Sequence, residues 1–341
     1  MTMNSENWID IRSDTVTRPC KQMRKVMAEA EVGDAVYGDD PSVNQLQELG
    51  AEISGQEASL YVCSGVQSNL IALLTHCARG DEYIVGQDAH TYKYEGGGAA
   101  VLGSIQPQPI EISSDGSLDL NKVASVIKEN DFHFARSKLL SIENTTSGKV
   151  LPQSYLNDAV IFCKKHQLKL HMDGARVANA AVAQNETISN LVSNFDSVSI
   201  CLSKGLGAPV GSLLCASRDF IKEAKHWQKM LGGGMRQAGI IAAAGIYALK
   251  NNINRLSIDH ENALILSNAL KEIESLQDIS VNTNIIKFSL PEDKVESLNN
   301  FLIEKKIKAS VSSNMRIVTH LDVSSKNIEY IIDAFKIFFR T

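Results

Sequence analysis

The stretches Leu168-Lys-Leu-His-Met-Asp173-Gly174-Ala-Arg176 and Ser197-Val-Ser-Ile-Cys-Leu-Ser-Lys204-Gly-Leu-Gly207 each join an apolar strand to a polar turn that contains glycine. The interval between Asp173 and Lys204 accommodates one helix and the next strand, which is the length of a βαβ unit. Polar residues that follow parallel strands gather at one edge of an open sheet. We therefore predict an α/β fold with Asp173 and Lys204 at the same edge of its sheet.

The rest of the chain continues the alternation of apolar strands with helical periodicity. Predicted strands are 59–63, 82–85, 138–143, 169–172, 197–202 and 212–215, and predicted helices are 67–77, 153–166 and 236–250. The later elements are a helix at 255–275, a strand at 285–290, a helix at 292–306, strands at 308–312 and 316–320, and a final helix from Ser325. We expect a large domain over residues 1–250 and a small α+β domain over residues 251–341.

Composition restricts the class of protein. The net charge is −5 and the 34 Lys and Arg residues are scattered, so there is no basic stripe for nucleic acid or an acidic membrane surface. The six cysteines contain no C-x-x-C pair, which is typical of reduced thiols in the cytoplasm. No signal-peptide pattern and no apolar run of about 20 residues is present. A cytoplasmic protein with a small-molecule partner is expected.

Lys204 follows an apolar strand and precedes glycines that permit a tight turn. Partial desolvation there favours the neutral amine, which forms an imine with an aldehyde. The alternative is an exposed loop lysine. Asp173 supports the first interpretation, because a buried carboxylate facing the pyridine nitrogen of pyridoxal 5′-phosphate (PLP) keeps that nitrogen protonated.

Three further positions at strand ends fit a PLP site. Arg176 could reach the phenolic oxygen of the cofactor or a substrate carboxylate, or it could pair with a neighbouring acid. Ser64 and Gly65 begin a predicted helix whose N–H groups and dipole suit a phosphate, although Ser64 could simply cap that helix. His90 could stack on a flat heterocycle, or it could be a structural histidine.

Motifs for rival chemistries are absent, including G-x-G-x-x-G, G-x-x-x-x-G-K-[ST], G-x-S-x-G and H-E-x-x-H. Five stretches instead closely resemble the low-specificity L-threonine aldolases, which are PLP enzymes of fold type I: Arg12-Ser-Asp-Thr-Val-Thr-Arg-Pro19, Val36-Tyr-Gly-Asp-Asp-Pro41, His171-Met-Asp-Gly-Ala-Arg176, Leu202-Ser-Lys-Gly-Leu-Gly207 and Gly232-Gly-Gly-Met-Arg-Gln237. The resemblance covers nearly the whole chain and includes the order and separation of the motifs.

The resemblance implies a mainly parallel seven-stranded sheet between helices, with a smaller C-terminal α+β domain. It implies that Lys204 holds PLP as a Schiff base, that Asp173 faces the pyridine nitrogen and that His90 stacks on the ring. The phosphate would be held by Gly65, the Val66 backbone and Ser203. The substrate carboxylate would be bound by Ser13, Arg176 and Arg316, and His133 would lie near the β-hydroxyl group.

The resemblance also implies a homotetramer whose sites lie at subunit interfaces. Lys229 and Arg236 would reach a neighbour's cofactor phosphate, and Tyr37 would line a shared site. This chain departs from the family at Val66, where a threonine is usual and a hydroxyl contact to the phosphate is lost. It also has Thr146-Ser147 where the family often has histidine and asparagine, so no histidine acts at that point.

The reaction that follows is retro-aldol cleavage of L-threonine, L-allo-threonine or related β-hydroxy-α-amino acids to glycine and an aldehyde such as acetaldehyde. The base for the β-hydroxyl proton is left open among His90, His133 and an ordered water. No metal is expected among the site residues. The alternatives are an aminotransferase or a β-eliminating lyase with the same Lys204 and Asp173, an aldolase on a barrel fold, and a catalytically inactive binding protein.

Overall fold

The computed structural model describes residues 8–340. Its strands, in chain order, are β1 (Ile9–Asp10), β2 (Ala58–Val62), β3 (Asp81–Gly86), β4 (Gln106–Ile110), β5 (Arg136–Glu143), β6 (Lys169–Gly174), β7 (Ser197–Cys201), β8 (Ser212–Ala216), β9 (Gln277–Asn282), β10 (Ile285–Ser289), β11 (Ile307–Lys308) and β12 (Asn314–Val318).

The helices lie between these strands, with a 3₁₀ turn at Asp14–Val16. They are α1 (Lys21–Ala28), α2 (Pro41–Ser54), α3 (Gly65–His76), α4 (His90–Lys93), α5 (Gly98–Gly103), α6 (Leu120–Val126), α7 (Gln153–His166), α8 (Val177–Gln184), α9 (Ile188–Val192), α10 (Arg218–Met230), α11 (Gly239–Asn251), α12 (Leu256–Leu270), α13 (Glu292–Glu304) and α14 (Ser325–Arg340).

A seven-stranded sheet with the strand order β2-β8-β7-β6-β5-β3-β4 forms the centre of the molecule. Strand β8 runs antiparallel to both of its neighbours, and the other pairs are parallel. The carboxyl ends of β2, β3, β5, β6 and β7 therefore lie at one edge of the sheet. The predicted fold class is confirmed, and the barrel alternative is wrong because the sheet is open at β2 and β4.

Helices cover both faces of this sheet, which explains why its central strands are almost continuously apolar. Every residue of β7 and β8 is buried. In β2 the side chains alternate, because Tyr61 packs in the core shared with α2 and α11, whereas Leu60 and Val62 pack with α3 and α10. The sheet is thus held rigidly, and so are the residues that follow its strands.

A second core lies around the antiparallel sheet β12-β10-β9, with α12, α13 and α14 packed on it. The N-terminal segment belongs to this region, since β1 pairs with β11 and Ile11 is part of the same core. The backbone oxygen of Ile11 also accepts a hydrogen bond of 3.0 Å from the Val318 N–H. The domain boundary at residue 250 remains a prediction. The N-terminal segment, which was predicted in the large domain, packs with the C-terminal elements.

The predicted helices each lie within a few residues of an observed helix, and α7 matches its predicted bounds. Eight of the fourteen helices that the structure describes, among them α2 and α10, and the strands β1 and β9 were not predicted. Strand β4 was not predicted, because its sequence contains Pro107 and Pro109. Prolines are tolerated there because β4 is an edge strand with one side unpaired. The predicted strand at 308–312 is wrong beyond Lys308. None of the helices within residues 8–340 has the length and apolar character to cross a membrane.

Candidate active site

Lys204 lies in a tight turn that follows β7 at the carboxyl edge of the sheet. The Lys204 carbonyl accepts a hydrogen bond of 2.8 Å from the Gly207 N–H, and Gly207 has a φ of +78° that favours glycine. The lysine is half-buried, and its charge acts on Asp14, His90 and Glu143. This placement favours the interpretation of Lys204 as a partly desolvated amine over that of an exposed loop lysine.

Asp173 ends β6 beside that turn and is only 3% exposed. One of its carboxylate oxygens accepts a hydrogen bond of 3.0 Å from the Ala175 N–H, and the other accepts one of 2.9 Å from Nδ2 of Asn69. The carboxylate is therefore held in a single orientation. Lys204 and Asp173 lie at the same edge of the sheet, as the sequence predicts.

His90 begins α4, just after β3, and lies close to Asp173. Its backbone N–H donates to Glu143 Oε2 at 3.0 Å, and its Nδ1 lies 2.8 Å from Glu95 Oε1. The hydrogen bond to Glu95 raises the pKa of His90, and the charge of Asp173 acts in the same direction. Because Nδ1 is engaged, Nε2 is the ring nitrogen that remains for a ligand.

Glu143 carries a half-buried carboxyl at the end of β5, directly opposite Asp173 in the register of the sheet. Burial and the nearby charge of Asp173 together raise the pKa of Glu143 to about 7. Glu143 was not among the residues predicted from the sequence, although its position at a strand end was a signal for it.

Glu143 makes stability depend on pH, because its folded-state pKa of about 7 lies above the ordinary value of 4.5. Between those values the folded protein binds a proton that the unfolded chain has released, so this group lowers the free energy of unfolding as pH rises from about 4.5 to about 7. We expect Glu143→Gln to remove this contribution. The free energy of unfolding of cofactor-free protein, measured against pH for wild type and variant, checks it.

The difference between the two pH profiles isolates Glu143 from the buried histidines, which titrate in the same window with the opposite sign. Glu272→Gln is the matched control, because Glu272 is a surface carboxyl whose pKa is lowered by its hydrogen bond to Lys336. The control is expected to follow the wild-type profile from about 4.5 to about 7. Parallel wild-type and Glu143→Gln profiles would contradict the prediction.

The N-terminus of α3 forms a cup at the carboxyl end of β2. Ser64 caps the helix by accepting a hydrogen bond of 3.1 Å from the Gln67 N–H, so the capping alternative is confirmed. The N–H groups of Gly65 and Val66 lack partners inside the helix because they are in its first turn. The buried Ser212 hydroxyl has no hydrogen-bond partner within the described residues and lies 3.6 Å from a Cβ built on Gly65. These free donors suit a phosphate group.

Arg176 forms a buried, two-pronged ion pair with Asp14, with Nη2–Oδ1 and Nε–Oδ2 distances of 2.6 and 2.8 Å. The predicted salt bridge with a neighbouring acid is therefore confirmed, and it uses Nε and Nη2 but not Nη1 of the guanidinium. Burial opposes the ionised form of Asp14, but the Arg176 guanidinium holds the pKa of Asp14 well below its usual range. Asp14 was not selected from the sequence, because only the tertiary fold brings it to Arg176.

Arg316 lies near the same ion pair, on β12. Burial lowers the pKa of Arg316, and so does the neighbouring positive charge of Arg176. Ser13 adjoins Asp14 in the N-terminal segment. Two guanidinium groups around a single carboxylate leave excess positive charge, which suits a carboxylate ligand.

The structure does not place all of the remaining predicted residues in this group. His133 precedes β5 and so lies at the opposite, amino edge of the sheet, where it is exposed and bonds to Asp131 at 2.5 Å. The eight residues of β5 span roughly 26 Å. Ser203 lies next to Lys204 and near Cys201.

Tyr37, Lys229 and Arg236 form a separate exposed group beside the edge strand β2. Arg236 pairs with Asp34 at 2.8 Å and lies over the ring of Tyr37 at 5.9 Å. Lys229 lines a cavity of about 320 Å³ next to them. Within one chain, these residues are not in the group around Lys204.

Comparison with known proteins agrees with this fold. Residues 10–291 match the family model of the beta-eliminating lyases. A low specificity L-threonine aldolase of Escherichia coli (strain K12) is 54% identical over 320 residues, which are 94% of this chain and 96% of that protein. A probable low-specificity L-threonine aldolase 2 of Arabidopsis thaliana is 40% identical and covers 98% of both chains.

A solved structure of threonine aldolase from Leishmania major has the same fold, with a TM-score of 0.83 over 97% of this chain and 99% of that one, at 21% identity. The chain therefore belongs to the low-specificity L-threonine aldolases of the beta-eliminating lyase family.

Proposed function

We propose that this protein binds PLP and cleaves L-threonine, L-allo-threonine and related β-hydroxy-α-amino acids to glycine and an aldehyde such as acetaldehyde. The observation that carries the proposal is the convergence of half-buried Lys204, buried Asp173 and His90 at one edge of the sheet. Membership of the aldolase family supports it.

The donor set fits PLP. Lys204 would hold the cofactor aldehyde covalently, Asp173 would face its pyridine nitrogen and the His90 ring would lie against its face. Gly65, Val66 and Ser203 would receive the phosphate, with the unpaired Ser212 hydroxyl close by. When bound, PLP supplies an electron sink for the negative charge that bond cleavage leaves on the substrate Cα.

Arg176, Arg316 and Ser13 would bind the substrate carboxylate. The Asp14 carboxylate holds the Arg176 guanidinium through two hydrogen bonds, so this arginine is oriented before substrate arrives. A fixed carboxylate would determine which bond at Cα is oriented for cleavage. This orientation favours carbon–carbon cleavage over transamination.

We infer that, within a single chain, His90 would take the β-hydroxyl proton. Its Nδ1 is held by Glu95, which leaves Nε2 for the substrate. His133 lies at the far edge of the sheet, so it could act only in the site of a second copy. We therefore assign the proton transfer to His90.

We further propose that the protein is a tetramer in which Tyr37, Lys229 and Arg236 complete a neighbour's site. Their exposure and their position away from Lys204 are consistent with a role across an interface. Light scattering of the purified protein is expected to give the mass of four chains. A monomer that is fully active would remove the roles of Lys229 and Arg236. A cytoplasmic location also remains a prediction.

The function is tested by adding L-threonine or L-allo-threonine to the PLP-loaded protein and measuring acetaldehyde and glycine. Equal amounts of the two products are expected. Formation of a keto acid or of ammonia instead would assign the site to an aminotransferase or a β-eliminating lyase. A protein that cannot be loaded with PLP would overturn the proposal.

A further inference from the structure

Asn69 lies one turn inside α3, the helix whose first turn forms the phosphate cup, and it is only 2% exposed. Its Nδ2 donates two hydrogen bonds, one to Glu95 Oε1 at 2.8 Å and one to Asp173 Oδ2 at 2.9 Å. Its Oδ1 lies 3.2 Å from Nε2 of His171. A single buried amide therefore joins the carboxylate next to His90 to the carboxylate at the end of β6.

The two carboxylates accept from the Asn69 amide and so define its orientation, and the hydrogen bonds behind Asn69 are compatible with it. Burial lowers the pKa of His171 to about 4, so its ring is neutral at neutral pH and has one donor and one acceptor nitrogen. Nε2 donates to Asn69 Oδ1, and Nδ1 accepts from the Ser197 hydroxyl at 2.8 Å. Ser197 in turn accepts from Nε2 of His76 at 2.7 Å. Each member has one consistent role, which leaves both Asn69 N–H groups for the carboxylates.

Asp173 and Glu95 are both buried or nearly so, and like charges in such a place repel each other. One ring nitrogen of His90 and one carboxylate oxygen each of Glu95 and Asp173 lie within 4.8 Å of one another. The Asn69 amide lies between the two carboxylates and gives each of them one N–H. The uncharged Asn69 amide, which donates two hydrogen bonds, thus offsets the repulsion between the Glu95 and Asp173 carboxylates. Without it, a cation would be needed to neutralise that repulsion.

We propose that Asn69 is a positioning residue that couples the pyridine-facing carboxylate of Asp173 to the Glu95–His90 pair. The inference rests on the proposed function, because Asp173 and His90 have their roles only in a PLP site. Neither the phosphate motif nor any strand-end pattern in the sequence indicates this role for Asn69. Its consequence is that one substitution changes cofactor affinity and the titration of His90 together.

The test is Asn69→Leu in the full-length protein, since leucine keeps the branched shape and removes both donors and the acceptor. The loss of a hydrogen bond to a charged group is expected to weaken PLP affinity by about 10- to 100-fold. In cofactor-free protein, the pKa of His90, followed by NMR, is expected to fall. Glu95 becomes harder to ionise and Asp173 loses a hydrogen-bond donor, while Lys204 and the Tyr94 ring, which also face His90, are unchanged.

Asn262→Leu is the matched control, because Asn262 is also a buried helical asparagine whose Nδ2 donates to a backbone oxygen, that of Val323 at 3.3 Å. The control is expected to lose stability while PLP affinity and the His90 pKa stay at wild-type values. In a Glu95→Gln background, Asn69→Leu is expected to shift the His90 pKa much less, because its effect passes mainly through Glu95.

Wild-type PLP affinity and a wild-type His90 pKa in Asn69→Leu would overturn the proposal, as would changes no larger than those of Asn262→Leu. If Asn69→Leu does not fold, Asn69→Ser, whose side chain is too short to bridge the carboxylates, is measured with the same expectations. Failure of the proposed function can be distinguished from failure of this inference. A wild-type protein that binds PLP but releases no aldehyde still permits measurement of PLP affinity and of the His90 pKa.

Discussion

Lys204→Ala is expected to release no measurable aldehyde from L-threonine and to lose the yellow absorbance band of covalently held PLP. The turn after β7 places this amine, half-buried, beside the charges of Asp14, His90 and Glu143. In the proposed function, Lys204 is the lysine that holds the cofactor covalently. Removal of a covalent catalytic group costs roughly three orders of magnitude or more in rate. The acetaldehyde-coupled assay and the absorbance spectrum measure the two effects.

The control for this variant is Lys326→Ala, because Lys326 is an exposed lysine in the first turn of α14. It is expected to keep wild-type activity and colour. The thermal unfolding of Lys204→Ala should remain close to that of cofactor-free wild type, which separates a chemical loss from misfolding. A folded Lys204→Ala protein that retains both colour and aldehyde release would show that another amine holds the cofactor.

Arg176→Ala is expected to lower the free energy of unfolding by about 3–5 kcal/mol, because it leaves the buried Asp14 carboxylate without its partner. Asp14 is 0% exposed and accepts both hydrogen bonds of the Arg176 guanidinium. The same variant is expected to raise KM for L-threonine by an order of magnitude or more, since a charged group at the proposed carboxylate site is lost. Chemical denaturation and steady-state kinetics measure the two effects.

The double variant Asp14→Leu with Arg176→Met separates stability from binding. Replacing both members of a buried ion pair by apolar side chains is often neutral for stability, so the free energy of unfolding is expected to recover while activity stays low. Arg255→Ala is the matched control, because Arg255 forms a similar pair with buried Asp259 at 2.7 Å. That control is expected to lose stability with a much smaller change in KM. Recovery of activity in the double variant would refute the carboxylate role.

The sequence predicts well where the determinants are local. Strands buried on both faces are largely apolar runs, so β6, β7 and β8 were placed closely, and α7 was predicted at its observed bounds. The same runs locate Asp173 and Lys204, because residues that follow strands are read directly from the pattern. The edge strand β4 was missed because its prolines oppose a strand locally, whereas the sheet tolerates them at its edge.

The resemblance to a known family indicated site residues that local sequence patterns did not. The structure divides these residues into those near Arg176 and those far from it. Ser13 and Arg316 lie near Arg176, whereas His133 lies at the opposite edge of the sheet and Tyr37, Lys229 and Arg236 form a group of their own. Roles for the last four residues require a second copy of the chain. A single sequence does not distinguish contacts within a chain from contacts between chains.

The sequence by itself therefore determined the class of fold, the edge of the sheet that carries the chemistry, and the pair Lys204 and Asp173. The tertiary structure alone decided which groups surround that pair: Asp14 against Arg176, Glu143 opposite Asp173, and Asn69 between two carboxylates. The physical reason is that hydrophobic periodicity and turn chemistry act over a few residues, whereas these polar contacts join residues far apart in the chain. Buried polar groups must find hydrogen-bond partners, and only the packed fold determines which partners are within reach.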